Sequence, residues 1–362
     1  LTTFAPLPPG STIGVLGGGQ LGRMLALAAA RLGFDVVILT PEVDSPASRV
    51  AARTLVADYA DPKALAELAR LAQVVTYEFE NVPVAAVEAL VAHGVEVAPG
   101  AFALATAQDR VVEKSFFRDA GAAPTVDFVA VDSPADIVAG LQQLGAPALL
   151  KTRREGYDGK GQTWVADAAD AEAAFARIGA RPAILEAKAT FRRELSVIAA
   201  RSRDGRVAAY PLSENHHRDG VLRTSIAPAD AADATRAEAL QIAERTLERL
   251  GYVGVAGIEL FEDVAGHLLV NEFAPRVHNS GHWTLDACQV DQFEQHIRAV
   301  AGWPLGPTDM FAAAEMENLL GEAALDWAAL AADPAARVWL YGKRDVAPGR
   351  KMGHLTRLKT RS

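Results

Sequence analysis

Ser11-Thr-Ile-Gly-Val-Leu16-Gly-Gly-Gly-Gln-Leu-Gly22 joins an apolar strand, a glycine turn and the opening of an alanine-rich helix. An apolar run without a polar face predicts a strand covered on both sides, as in a parallel sheet. The chain then repeats the unit: residues 21–32 read as a helix closed by Gly33, 35–40 as a strand, 61–71 as a helix, 73–77 as a strand and 84–92 as a helix. Such alternation implies an α/β fold with helices flanking a parallel sheet. The turn matches GxGxxG between strand and helix, where backbone amides and a helix N-terminus can hold a phosphate. Glu42 stands near where a dinucleotide fold keeps its ribose-binding acid. From these residues alone an NAD-type site and a plain tight turn both stay open.

Further along, Gly121-Ala-Ala-Pro124 breaks a helix that begins near Asp109 and marks a boundary. Residues 125–130, 148–152, 162–165 and 183–185 read as strands of a smaller unit, followed by strands at 193–201 and 207–210 and a long helix at 232–250. A predicted hairpin over 257–273 carries Glu259 and Glu272, and Arg276, His278, Asn279 and His282 follow it. With Val264 and Ala265 as a two-residue loop, Glu259 faces Val270 and Glu272 is its diagonal neighbour on the same face. Two carboxylates that close repel, and burial forces a proton onto one of them. Mg2+, which takes one or two carboxylates and fills its shell with water and substrate phosphate, resolves the conflict, and Asn271 can add an oxygen. A solvent-exposed pair on an edge hairpin is the plainer alternative.

A second glycine cluster, Gly156-Tyr157-Asp158-Gly159-Lys160-Gly161-Gln162, joins two predicted strands, with Lys151 before it. No Lys-Ser or Lys-Thr pair follows, so it is not a Walker loop; a glycine hairpin can fold over a polyphosphate and offer amide donors. Thr76-Tyr-Glu78-Phe-Glu80-Asn81-Val-Pro83 sets carboxylates at the end of a strand, where open parallel sheets bind ligands.

The chain has 362 residues, 50% of them hydrophobic and 22% charged, enough for two or three domains. Its net charge of -9 argues against general nucleic-acid affinity. Residues 341–362 depart from this with a local charge of +6, as a solvated tail or as a packed segment offering cations to an anion. The single cysteine, Cys288, excludes an internal disulfide and fits a reducing cytoplasm. The histidines include no HExxH, so zinc hydrolysis has no support. No apolar run reaches the roughly 18 residues of a membrane span, and residues 1–10 lack the pattern of a signal peptide. The expectation is a cytoplasmic protein with no membrane or nucleic-acid partner.

Taken together, these segments resemble the ATP-grasp superfamily and, within it, the N5-carboxyaminoimidazole ribonucleotide synthases. The resemblance runs from about Gly14 to His354 through GGGQLGRM from Gly17, YEFENVP from Tyr77, QDR from Gln108 and GYDGKGQ from Gly156. It continues with HRDGVLRTS from His217, NEFAPRVHNSGHWT from Asn271 and GRKMGH from Gly349. It implies a Rossmann-like parallel-sheet domain over 1–98, a connecting helical segment over 99–123 and an ATP-grasp lid over 124–186. A larger α+β ATP-grasp domain over 187–310 and a C-terminal segment over 311–362 complete it, usually in a homodimer.

The implied reaction is ATP-dependent attachment of bicarbonate to 5-aminoimidazole ribonucleotide through carboxyphosphate, in purine biosynthesis, with Mg2+. By the same resemblance Arg110, Lys151, residues 156–162, Glu186, Ala187, Lys188, Ala189, Glu194 and His217 surround ATP, together with Asn271 and Glu272. Glu259, Glu272 and Asn271 hold the metal. Tyr157, Asp158, Arg276, His278 and Asn279 hold bicarbonate and carboxyphosphate. Gly19, Gln20, Leu21, Glu78 and Asn81 face the ribonucleotide, whose phosphate falls to Arg344, Arg350 and Lys351. The competing expectations are an ATP-grasp ligase using formate and glycinamide ribonucleotide, a dehydrogenase built on the first glycine loop, and a non-catalytic nucleotide binder.

Overall fold

The computed structural model describes residues 4–119, 121–156 and 160–359. The opening strand Thr12–Leu16 lies in the middle of a five-stranded parallel sheet, between Asp35–Thr40 and Val74–Tyr77. Arg53–Val56 and Glu96–Val97 form its edges. The central position explains the unbroken apolar run, since Ile13, Val15 and Leu16 are buried from both faces. Helix ends follow local chemistry. Asp61 accepts from the amides of Lys63 and Ala64 and a proline opens the helix Pro62–Leu71, while Gly33, at φ +80°, turns the chain after the helix Gln20–Arg31.

A separate four-stranded antiparallel sheet, in the order Phe128–Val131, Ala183–Ala187, Ala148–Thr152, Gln162–Val165, has its own core around Ile137, Leu150 and Leu185. The third sheet has nine strands among the described residues. Its Arg193–Arg201 strand pairs with Gly254–Glu262, which pairs with Leu268–Ala274. On its other side the sheet runs through Ser213–Arg218, Val221–Ala227, Ala313–Leu320 and Lys351–Lys359 to Ala336–Leu340.

Within the basic C-terminal segment, Lys351–Lys359 is a packed strand rather than a solvated tail. Met352, His354, Leu355 and Thr356 are buried, and Lys351 and Arg357 lie at positions that reach solvent. The first sheet and the large sheet share one apolar core. Met24, Leu25 and Ala29 of the first helix meet Phe293, Ile297 and Val300 of the helix Gln292–Val300, with Arg31 Nη1 3.3 Å from Asp291 at the rim. That shared core fixes the first glycine loop relative to the carboxylate hairpin.

Candidate active site

Glu259 and Glu272 stand directly opposite each other in the hairpin, so the expected facing of Glu259 by Val270 is corrected. Two local causes shift the register. Asp263 accepts from the amides of Ala265 (2.8 Å) and His267 (3.0 Å), and Gly266 adopts φ +89°, which makes a three-residue loop in place of two. A bulge then inserts Asn271 as an extra residue before Glu272. Burial, and then the neighbouring Glu272, push the Glu259 carboxyl up to about 7. This is the electrostatic condition that a bound cation relieves, and two carboxylates suit Mg2+ completed by phosphate oxygens. Among the described residues no group of three or more His, Cys, Asp or Glu could by itself hold a metal ion.

Glu113 and Lys114, neighbours on the helix Arg110–Asp119, grip this bulge from behind. Lys114 Nζ donates to the carbonyls of Asn271 (2.7 Å) and Val270 (3.3 Å), and Glu113 accepts from the amide of Phe273 at 2.6 Å. Burial, opposed by Lys114 and reinforced by Glu272, raises Glu113 to about 8. The pair escaped the sequence reading. The available signal was two charged residues in register with Phe117 on the buried helix face.

The residues expected to surround the nucleotide gather along the four-stranded sheet and its junction with the large one. Lys151 Nζ lies 2.7 Å from Glu186 Oε2, and Lys114 Nζ 3.8 Å from Glu186 Oε1. Burial pushes the Glu186 carboxyl up, and the two lysines outweigh it and hold the group below its ordinary value. Arg110 donates to the carbonyls of Thr152 (2.9 Å) and Gly156 (2.5 Å), while Thr152 donates its amide to Gly161 (2.8 Å). Arg110 thus braces the base of the second glycine loop. Lys160 is exposed, and Gln162 pairs with Lys151; Tyr157, Asp158 and Gly159 lie outside the described residues. Ala187, Lys188 and Ala189 lead from this sheet toward Glu194, which stands 2.8 Å from His217 Nδ1. Burial works against a charged His217, but the bond to Glu194 and the charge of Glu259 raise its pKa.

Arg276 is bound through Nε to Glu80, at the end of the first sheet. Burial acts against the Glu80 charge, and Arg276 overcomes it and holds the group at about 2. His278 Nε2 is 3.5 Å from Glu259 Oε1, so the histidine spans from the carboxylate pair to the polar run. Burial, followed by the charges of Arg276 and Lys351, keeps its pKa well below the usual histidine value. Both side-chain atoms of Asn279 are buried without a hydrogen-bond partner among the described residues. Orphaned buried amides of this kind call for a ligand.

At the first glycine loop, Glu78 accepts from the amides of Gly19 and of Gly22, the latter at 2.6 Å. Its carboxylate occupies the donors that a cofactor phosphate would need, and a Cβ on Gly17 or Gly19 would collide with it. The loop, with Gln20 and Leu21 opening the helix, is therefore a seat for Glu78 and not a dinucleotide turn; Glu42 is exposed. Burial raises Glu78, against those two amides and the Lys343 charge. Lys343 is another residue not singled out from sequence: burial, then Arg350, lower it to about 8, and Glu78 pulls the other way.

The remaining residues divide. Asn81 is exposed and does not cap the following helix, whose N-cap Pro83 has no side-chain bond. Arg344 is exposed and paired with Asp44, and Arg350 donates to the Asp345 carbonyl at 2.8 Å. Lys351 acts electrostatically on Glu259 and His278, which puts its charge on the metal side as much as on the phosphate side.

Three family models cover the chain in order: a ribonucleotide synthetase preATP-grasp domain over residues 11–108, an ATP-grasp domain over 116–293 and a phosphoribosylaminoimidazole carboxylase C-terminal domain over 314–362. The N5-carboxyaminoimidazole ribonucleotide synthase of Brucella melitensis is 52% identical over 358 residues, 98% of either chain. A Staphylococcus aureus N5-carboxyaminoimidazole synthetase solved with ADP superposes with a TM-score of 0.94 at 37% identity, over 99% of this chain and 95% of that one. An Aspergillus clavatus enzyme solved with ADP and 5-aminoimidazole ribonucleotide gives 0.89 at 32%, over 97% and 94%. No helix among the described residues is long and apolar enough to cross a membrane. With this fold and site in hand, the chain belongs to the N5-carboxyaminoimidazole ribonucleotide synthases of the ATP-grasp superfamily, ATP-dependent carbon-nitrogen ligases of purine biosynthesis.

Proposed function

We propose that this chain divides the carboxylation of 5-aminoimidazole ribonucleotide among three groups of its own residues. A bicarbonate oxygen attacks the γ-phosphorus of ATP, the bond to the β-phosphate oxygen breaks, and ADP leaves with that electron pair. The exocyclic amine then attacks the carbon of carboxyphosphate, the carbon–oxygen bond to phosphate breaks, and the amine gives up a proton.

Lys151, Glu186, Ala187, Lys188, Ala189, Glu194 and His217 hold the nucleotide, with the glycine loop braced by Arg110 closing over its phosphates and excluding water from carboxyphosphate. Glu259, Glu272 and the Asn271 side chain would hold Mg2+, which would supply positive charge against the phosphates during transfer. Arg276, held flat by Glu80, offers its remaining N–H groups to the one-carbon acid, and Asn279 supplies one donor and one acceptor beside it. Glu78 and Lys343 face the ribonucleotide, with Arg350, Arg344 and Lys351 toward its phosphate.

The observation that carries this reading is the 3.5 Å contact of His278 with Glu259, which makes the carboxylate pair and the Arg276 to Asn279 run one continuous site. By likeness to the family the chain works as a cytoplasmic homodimer, with unit boundaries near residues 98, 123, 186 and 310. The test is ADP release. It should require bicarbonate and 5-aminoimidazole ribonucleotide together; release with formate and glycinamide ribonucleotide instead overturns the reading.

A further inference from the structure

A line of buried polar side chains runs away from His278 across three strands of the large sheet. Ser196, Ser213, Ser225 and Ser280 are 0% exposed and Asn215 is 4% exposed. Cross-strand pairing aligns them on one face, with Ser196 opposite both Glu259 and Ser213, and Asn215 opposite Ser225.

Donor counting leaves two directions open, and the Ser280 amide, which donates to His278 Nδ1 (3.4 Å), selects one. Ser225 donates to Asn215 Oδ1 (2.8 Å), which leaves Asn215 Nδ2 donating to Ser196 Oγ (3.0 Å). Ser196, which also lies 2.9 Å from Ser213 Oγ, spends its one hydroxyl proton on Ser280 Oγ at 2.7 Å. Ser213 has its own proton for Ser196 Oγ (2.9 Å) or for the Ser280 carbonyl (3.3 Å). Ser280 Oγ, already an acceptor, has its proton free for His278 Nδ1 at 2.8 Å, and the Ser280 amide approaches the same nitrogen at 3.4 Å. Two donors aimed at Nδ1 make it an acceptor, so the ring proton resides on Nε2, which faces Glu259 Oε1 at 3.5 Å.

We propose that Ser280, Ser196 and Asn215 are positioning residues: their one-way hydrogen-bond chain locks His278 in the Nε2–H tautomer, aiming a fixed proton donor at Glu259 and the adjoining one-carbon site. A carboxylate oriented by such a donor presents its remaining lone pairs to the metal in one geometry, as outer-shell partners do in other metal sites. The network also gives a hydrogen-bond partner to each of the four buried polar side chains of the sheet, Ser196, Ser213, Asn215 and Ser225. The inference rests on the role given to His278 above, but its first readout is independent of turnover.

In protein labelled with 15N-histidine, the ring resonances of His278 are assigned by their loss in His278→Gln. The resting wild-type protein should show the Nε2–H form alone. An Nδ1–H ring or a charged ring overturns the proposal, whether or not the enzyme makes the carboxylated product. In Ser280→Ala the Nδ1 resonance should move toward that of an unbonded pyridine-type nitrogen, and kcat should fall about tenfold while the KM for ATP stays within about twofold. Ser196→Ala should move the resonance less. Lower thermal stability with the resonance and kcat both unchanged would reduce the chain to structural packing and overturn the proposal; should Ser280→Ala fail to fold, the wild-type tautomer decides.

Discussion

The ammonium of Lys114 lies 2.7 Å from the carbonyl oxygen of Asn271, the extra residue whose bulge brings Glu259 and Glu272 face to face. Lys114 is 1% exposed; burial lowers its pKa and Glu186 pulls the other way, while two carbonyls accept from its Nζ. Lys114→Met keeps the volume and removes the donor. The bulge then loses its clamp, and the Mg2+ concentration for half-maximal activity should rise about tenfold. A magnesium titration of the variant checks this, and a curve superposed on wild type would mean that the bulge holds its shape unaided.

Glu272 is the more exposed member of the carboxylate pair, and its charge is a cause of the rise of Glu259 to about 7. Glu272→Gln removes half the charge of the site, and the Glu259 pKa should fall. Turnover should vanish at ordinary Mg2+ while the circular-dichroism melt stays near wild type, since an accessible carboxylate adds little to stability. Wild-type rates in this variant would falsify the metal assignment.

Much of this site was legible because its chemistry is written in contiguous runs. The strand before Gly17, the cluster from Gly156 and the polar run from Arg276 each declare a local conformation or charge excess. What stayed hidden depends on two distant segments meeting. Lys114 reads as an ordinary helix lysine until Asn271 arrives, across 157 positions. The GxGxxG turn reads as a phosphate seat until Glu78 fills it, since both readings use the same amides. The hairpin register failed for a local reason: the Asp263 side chain stabilises a longer turn, and a bulge has no sequence period to reveal it.

The Arg276–Glu80 pair yields a stability prediction with a definite sign. Burial opposes the Glu80 charge, yet Arg276 depresses the group to about 2 from its ordinary 4.5. A carboxylate depressed on folding contributes stability that is present above its unfolded pKa and is lost as pH falls through its folded one. The difference corresponds to about 3 kcal/mol. Glu80→Gln should therefore lower the urea midpoint markedly at pH 7, and the gap to wild type should shrink between pH 4.5 and 2. A gap independent of pH would trace the loss to packing and not to charge.

If Lys343 faces the ribonucleotide as proposed, binding of that substrate responds to pH near 8. Burial, and then Arg350, lower its pKa to about 8, with Glu78 opposing them. The protonated form attracts an anionic substrate and the neutral form does not, so kcat/KM for 5-aminoimidazole ribonucleotide should fall as pH rises through about 8. Lys343→Gln should start from a lower value and lose that inflection, because the titrating group is gone. Saturating kcat should change less than KM, and the KM for ATP should follow wild type, since Lys343 lies on the Glu78 side of the site. Retention of the inflection in the variant would transfer it to another group and remove Lys343 from the ribonucleotide site.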